Sequence, residues 1–145
     1  MQEAVARALD AARQPFEGHA SYYTWLLSEY TRKREILAAG LRAAGLVPLE
    51  TQGSFFIMAD TSSIEVPERF LYPNGRDAAP APRDYAFCRF LTTEIGVAAI
   101  PPSAFMCDAN KGAVADYARF AFCKKDDTLH AAVAKLAKLA EYRKM

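Results

Sequence analysis

No stretch of the 145 residues is apolar for the ~20 positions a helix needs to cross a bilayer, although apolar residues make up 52% of the chain. A membrane-spanning helix is excluded. Charge of one sign is also lacking: 18 Lys and Arg stand against 17 Asp and Glu, a formal +1, which gives no electrostatic reason to expect nucleic acid or a membrane surface as partner. Cysteine is scarce. Cys88, Cys107 and Cys123 are odd in number and widely spaced, so they make neither a disulfide framework nor the close ligand pairs of a structural zinc site. With Met1-Gln2-Glu3 showing no secretory pattern, this points to a soluble chain in a reducing compartment, cytoplasmic, with mitochondrial placement left open. The only two histidines, His19 and His130, are far apart in sequence and read as surface or packing residues. No phosphate-cradling glycine loop, metal-ligand cluster or serine nucleophile elbow occurs.

What is present suits one domain over residues 1–145, a size that buries roughly 70% of the surface its unfolded chain exposes. Ala4, Val5, Ala8, Leu9 and Ala12 share a helical face that Pro15 ends. A longer helix is predicted from about Ser21 to Ala44, with Gly45 as its left-handed cap. Leu46-Val47-Pro48 reads as a short edge strand and residues 54–60 as the next. Residues 61–83 carry Pro67, Pro73, Asn74, Gly75, Pro80 and Pro82 without an apolar period, so an excursion is expected, either a lid or a solvated insertion. Asp84 is placed as the cap of a helix carrying Phe87, Phe90, Leu91 and Ile95, with Gly96 as its stop. Val97–Ile100 is predicted as a strand ended by Pro101 and Pro102. A last helix, capped by Asp126 or Asp127, presents Leu129, Ala132, Val133, Leu136 and Ala140 inward. The order implies an α+β fold whose small mixed, mostly antiparallel sheet is covered by helices on one face only.

In "YARFAFC", residues 117–123, period-two geometry sends Phe120 and Phe122 to one face and Tyr117, Arg119, Ala121 and Cys123 to the other. Arg119 is thereby turned away from the aromatic core. Its planar fork suits a carboxylate, held through two parallel hydrogen bonds. The plain alternative is a surface arginine paired with an acid on a neighbouring strand. In "GSFF", Gly53 relieves a bend or bulge entering the strand, and alternation sends Phe55 and Phe56 to opposite faces, which leaves one ring on the uncovered side.

Four segments taken together, "QEAVARAL" at 2–9, the run from Tyr30 to Ile64 that contains "TQGSFFIMAD", "GVAAIPPSAF" at 96–105 and "DYARFAFCKKDDTLHAAVAKL" at 116–136, resemble the C-terminal small domain of fold-type I aminotransferases that use pyridoxal 5'-phosphate. The resemblance is specifically to the kynurenine–oxoglutarate aminotransferase and glutamine transaminase K group. By that resemblance Arg119 grips the substrate α-carboxylate. Phe56, with Phe55 as the alternative, lines the side-chain pocket, and the segment holding Gly53 borders the cleft, as does the loop from Val97 to Phe105. Relatives often carry a small residue where Pro102 stands. The resemblance implies amino acid and 2-oxo acid substrates, a homodimeric parent, and a cofactor carried by a lysine and an acid in a large domain absent from these residues. This chain alone is then expected to bind no cofactor and to be inactive, the alternative being a separate non-catalytic binding or assembly module.

Overall fold

A computed structural model describes residues 1–144. The first helix, α1 (Gln2–Ala11), forms where the periodicity places it, yet none of its residues is buried. The spine is α2 (Tyr22–Ala43), started by a reciprocal cap in which Ser21 Oγ accepts the Thr24 N–H at 3.2 Å and Thr24 Oγ1 accepts the Ser21 N–H at 3.0 Å. Gly45, at φ +92°, takes the chain out of the helix in the left-handed region, as the sequence predicts.

Three strands follow: β1 (Val47–Pro48), β2 (Phe56–Asp60) and β3 (Tyr117–Ala121), in the order β1-β2-β3. Both pairings are antiparallel, so the sheet is not mixed. The strand expected at Val97–Ile100 does not form. The N–H groups of Gly96 and Val97 both turn back to the Leu91 carbonyl, at 2.9 and 3.1 Å, and Pro101 has no N–H to offer; only Ile100 reaches the ladder, exchanging two 3.0 Å bonds with Arg119. The strand predicted from residue 54 begins at Phe56, because Ser54 sits at φ +66°.

Alternation along the ladder is strict. Ile57, Ala59, Ala118 and Phe120 are buried beneath α2, α4 (Arg83–Phe90) and α5 (Asp126–Leu136), together with Leu41, Phe87, Phe90 and Leu129. Each large side chain taken from water contributes about 1.5–3 kcal/mol, so a one-residue slip of β3, which would bury Arg119 and expose Phe120, is strongly disfavoured. Register alone fixes which face Arg119 occupies.

Helix ends depart from the sequence expectation in three places. Asp84 is not a cap: Pro82 stands at the N-cap, and Asp84 lies inside the first turn of α4, fully buried. That helix runs on as a π-helical turn, Leu91–Ile95, which Gly96 stops at φ +79° as predicted. Neither Asp126 nor Asp127 caps α5, whose N-cap is Lys125; the Asp126 carboxylate instead accepts two hydrogen bonds from Arg32 on α2, at 2.8 and 3.1 Å. Beyond Leu136 the last helix tightens into a 3-10 segment, Ala137–Tyr142, and the period of three carries Leu139 into the core in place of Ala140.

The excursion is not a lid. A short helix, α3 (Glu68–Leu71), and the side chains of Ile64, Val66 and Phe70 belong to the core. Arg83 ties this stretch down by donating to the carbonyls of Thr61 and Ile64 at 2.8 and 2.9 Å and pairing with Asp116 at 3.1 Å. Only residues 72–82 remain largely on the surface. Among the described residues no helix is long and apolar enough to cross a membrane.

Candidate functional site

The uncovered sheet face carries Phe56, Met58 and Asp60 from β2 opposite Ala121, Arg119 and Tyr117 from β3. All are half-buried. Met58 is the direct cross-strand partner of Arg119, and Phe56 is its diagonal neighbour, within reach of a long side chain. The Arg119 guanidinium carbon lies 4.2 Å from the centroid of the Phe56 ring. A second ring, Phe105, stands 4.4 Å away at the end of the 3-10 turn Pro102–Phe105. Two aromatic faces thus hold one cation, each stack contributing roughly 0.5–1 kcal/mol at such partly wet sites.

Among the described residues the guanidinium makes no ion pair and no hydrogen bond to protein, and its Nε is sealed from solvent with no partner at all. The surface-pair alternative is therefore not what the fold builds. An arginine held between rings with its charge unanswered has hydrogen-bonding capacity that no protein group uses. With Nε closed off, the free donors of the guanidinium are its two terminal nitrogens.

Phe55 does not follow the alternation expected of it. It precedes β2, after the left-handed Ser54, and its ring packs at 4.3 Å from that of Phe56 rather than on the opposite face. The pair forms a continuous apolar lip beside the guanidinium. Gly53 is outside this group: the positive φ lies at Ser54, a Cβ on Gly53 would meet nothing within 4 Å, and the residue borders a hollow lined by Leu27, Tyr30 and Thr31 of α2. The structure thus joins Arg119, Phe56 and Phe55 and leaves Gly53 aside. Phe105 was legible only as part of the loop named above, with nothing in its local pattern to mark it as the second ring.

The turn bearing Phe105 is fixed from below. Asp84 Oδ2 accepts the Ser103 N–H at 2.9 Å, while Oδ1 accepts the N–H of Tyr85 at 3.0 Å. Nearby, burial pushes the Cys88 thiol up to about 12, the charge of Asp84 adding to the effect. Among the described residues no group of three or more His, Cys, Asp or Glu could hold a metal ion. None of the three strands contains a lysine, so the strands around Arg119 offer no amine to carry a carbonyl cofactor.

Comparisons with known proteins bear on the family and the fold. The family model described as aminotransferase class I and II matches residues 1–136. The chain is similar to kynurenine–oxoglutarate transaminase of Dictyostelium discoideum, 43% identical over 143 residues that cover 95% of this chain and 31% of that protein. Human kynurenine–oxoglutarate transaminase 3 is 33% identical over 132 residues, covering 91% and 28%. Among solved structures, Bna3p of Saccharomyces cerevisiae superposes with a TM-score of 0.82 at 31% identity, covering 97% of this chain and 32% of that one. The N-succinyldiaminopimelate aminotransferase of Mycobacterium tuberculosis gives 0.67 at 33% identity, covering 95% and 30%. The chain therefore spans about a third of the length of these relatives, and the architecture is that of the aminotransferase small domain. By sequence and by fold, the chain belongs to the class I and II aminotransferase family.

Proposed function

We propose that this chain is the substrate-clamping small domain of a transaminase that moves an amino group between a large amino acid, kynurenine and glutamine being the leading candidates, and a 2-oxo acid. The observation that carries the reading is the unpaired Arg119 guanidinium held between Phe56 and Phe105 on the open sheet face. In this role Arg119 takes the substrate α-carboxylate through its two terminal nitrogens and fixes the plane of the Cα substituents. The lip of Phe55 and Phe56 shields that ion pair from water and favours side chains with an apolar body. Pyridoxal phosphate, on which the family depends, supplies the electron sink when bound. It comes with the two-thirds of the family's length that this chain does not span, in a parent expected to be a homodimer, and the chain alone is inactive.

The test is a titration of the 145-residue chain and of Arg119→Gln with phenylpyruvate, with affinity read by calorimetry and the Arg119 Nε–Hε NMR signal followed in the wild type. A charge-assisted contact contributes about 1.5–3 kcal/mol, so Arg119→Gln weakens binding roughly ten- to a hundredfold. Equal affinity in the wild type and in Arg119→Gln, or turnover of kynurenine by the chain supplied with pyridoxal phosphate, overturns the reading.

A further inference from the structure

We propose that Asp84 is a positioning residue for the Arg119 clamp, acting through the backbone of Ser103 and the ring of Phe105. The inference rests on the reading of Arg119 given above. A carboxylate with no exposed surface calls for a reason, because a buried charge is costly unless it is paired and hydrogen-bonded. Asp84 has no Lys or Arg partner among the described ion pairs. Two backbone N–H groups answer it, of Tyr85 in its own helix and of Ser103 nineteen residues on, and the positive end of α4 lies alongside.

The Ser103 contact is the informative one. Phe105 is 62% exposed, so packing against the core does not hold its ring over Arg119. Its place is set by the backbone of the turn that carries it, and that turn is anchored at two points. Ile100 exchanges hydrogen bonds with Arg119 itself, and Ser103 N–H runs to Asp84. Between them stand Pro101 and Pro102, whose fixed φ leaves the connection little freedom. The Ser103 hydroxyl is buried without a partner, so the backbone and not the side chain makes the attachment. Removing the Asp84 acceptor frees one end of the turn, lets Phe105 swing away, and leaves the guanidinium with a single ring.

Asp84→Asn is the sharp variant. It keeps the size but provides one acceptor oxygen for two N–H donors, and its own amide must face one of them. Asp126→Asn, an equal loss of charge at the exposed pair with Arg32, is the control. The probe is phenylacetate, titrated into the 145-residue chain, with the Arg119 Hε chemical shift followed as a reporter of the two ring currents. The expected result is a displaced Hε signal before any probe is added and an affinity about five- to tenfold lower in Asp84→Asn, with neither change in Asp126→Asn. Phe105→Ala reproduces both effects, and adding Asp84→Asn to it produces no further loss, the non-additivity of residues acting in series. An Asp84→Asn variant that melts earlier but keeps the Hε shift and the affinity overturns the proposal, since Asp84 is then only structural. Should Asp84→Asn not fold, Asp84→Glu, which keeps the charge and displaces the acceptor, is read by the same two signals, and an unchanged pair has the same force. If wild type and Arg119→Gln bind phenylacetate equally by calorimetry, the clamp reading fails, while the Hε displacement in Asp84→Asn still decides whether Asp84 positions the rings.

Discussion

Replacing Arg119 by methionine is expected to leave the chain's stability nearly unchanged or slightly raised, while weakening carboxylate binding at least tenfold. Methionine keeps the unbranched apolar stem that lies between Phe56 and Phe105 and discards only the charged fork. The loss is the two cation–π stacks, at 4.2 and 4.4 Å, worth about 1–2 kcal/mol together at a half-buried site. The gain is relief of the sealed, unpartnered Nε, since a buried donor left unmade costs about 1–3 kcal/mol. A thioether packing against two rings adds a little more. The sum lies between a loss of about 1 kcal/mol and a gain of roughly 2 kcal/mol. For a chain of this length 1 kcal/mol corresponds to a few degrees in Tm, so calorimetry should find Arg119→Met melting between about 4 °C below the wild type and several degrees above it. A fall of more than about 6 °C, near 2 kcal/mol, refutes the reasoning: the guanidinium would then be holding the fold together, and its unpaired state would not be readiness for a ligand.

Two further outcomes follow from the packing. A Cβ on Gly40 would lie 2.3 Å from Cγ2 and 2.9 Å from Cγ1 of Val133, whose β-branched side chain is stiff in a helix, so Gly40→Ala should cost about 1–3 kcal/mol in urea unfolding despite the better helix propensity of alanine, and the cost should shrink in a Val133→Ala background, where only the Cβ at 3.1 Å remains; a more stable Gly40→Ala single variant would contradict the observed helix contact. With its thiol held near 12 by burial, Cys88 should stay unreactive toward 5,5'-dithiobis(2-nitrobenzoate) at pH 8 while the exposed Cys107 and half-buried Cys123 react, and three fast thiols in the native chain would show that α4 opens freely.

The parts of this fold that were legible in the sequence are those governed by short periods. Alternation in "YARFAFC" assigned Arg119 to the open face, and the burial of Ala118, Phe120 and Phe122 agrees residue by residue. Gly45 and Gly96 were legible as helix stops because both sit at positive φ, where other residues are strained. The misreadings arose where local pattern met a tertiary demand. Val97–Ile100 has a strand's composition, but helix termination claims its first N–H groups. Asp84 and Asp126 have a cap's composition, but each carboxylate is taken by a distant partner, the Ser103 backbone in one case and Arg32 in the other. Phe55 and Phe56 looked like alternating strand residues until Ser54 placed the strand's start between them.

The same contrast explains why the clamp's centre was readable and its walls were not. Arg119 owes its place to the sheet register, which is enforced along the whole ladder by buried neighbours, so a period of two suffices to find it. Phe105 owes its place to a turn 14 residues upstream of Arg119, joined to α4 through a single buried hydrogen bond, and no local periodicity encodes such a bond. A site assembled from one rigid strand and one tethered turn has a division of labour that its sequence reveals only in half. The strand fixes the charge where the core cannot release it. The tether sets how tightly two rings hold that charge, and it can change without disturbing the hydrophobic pattern.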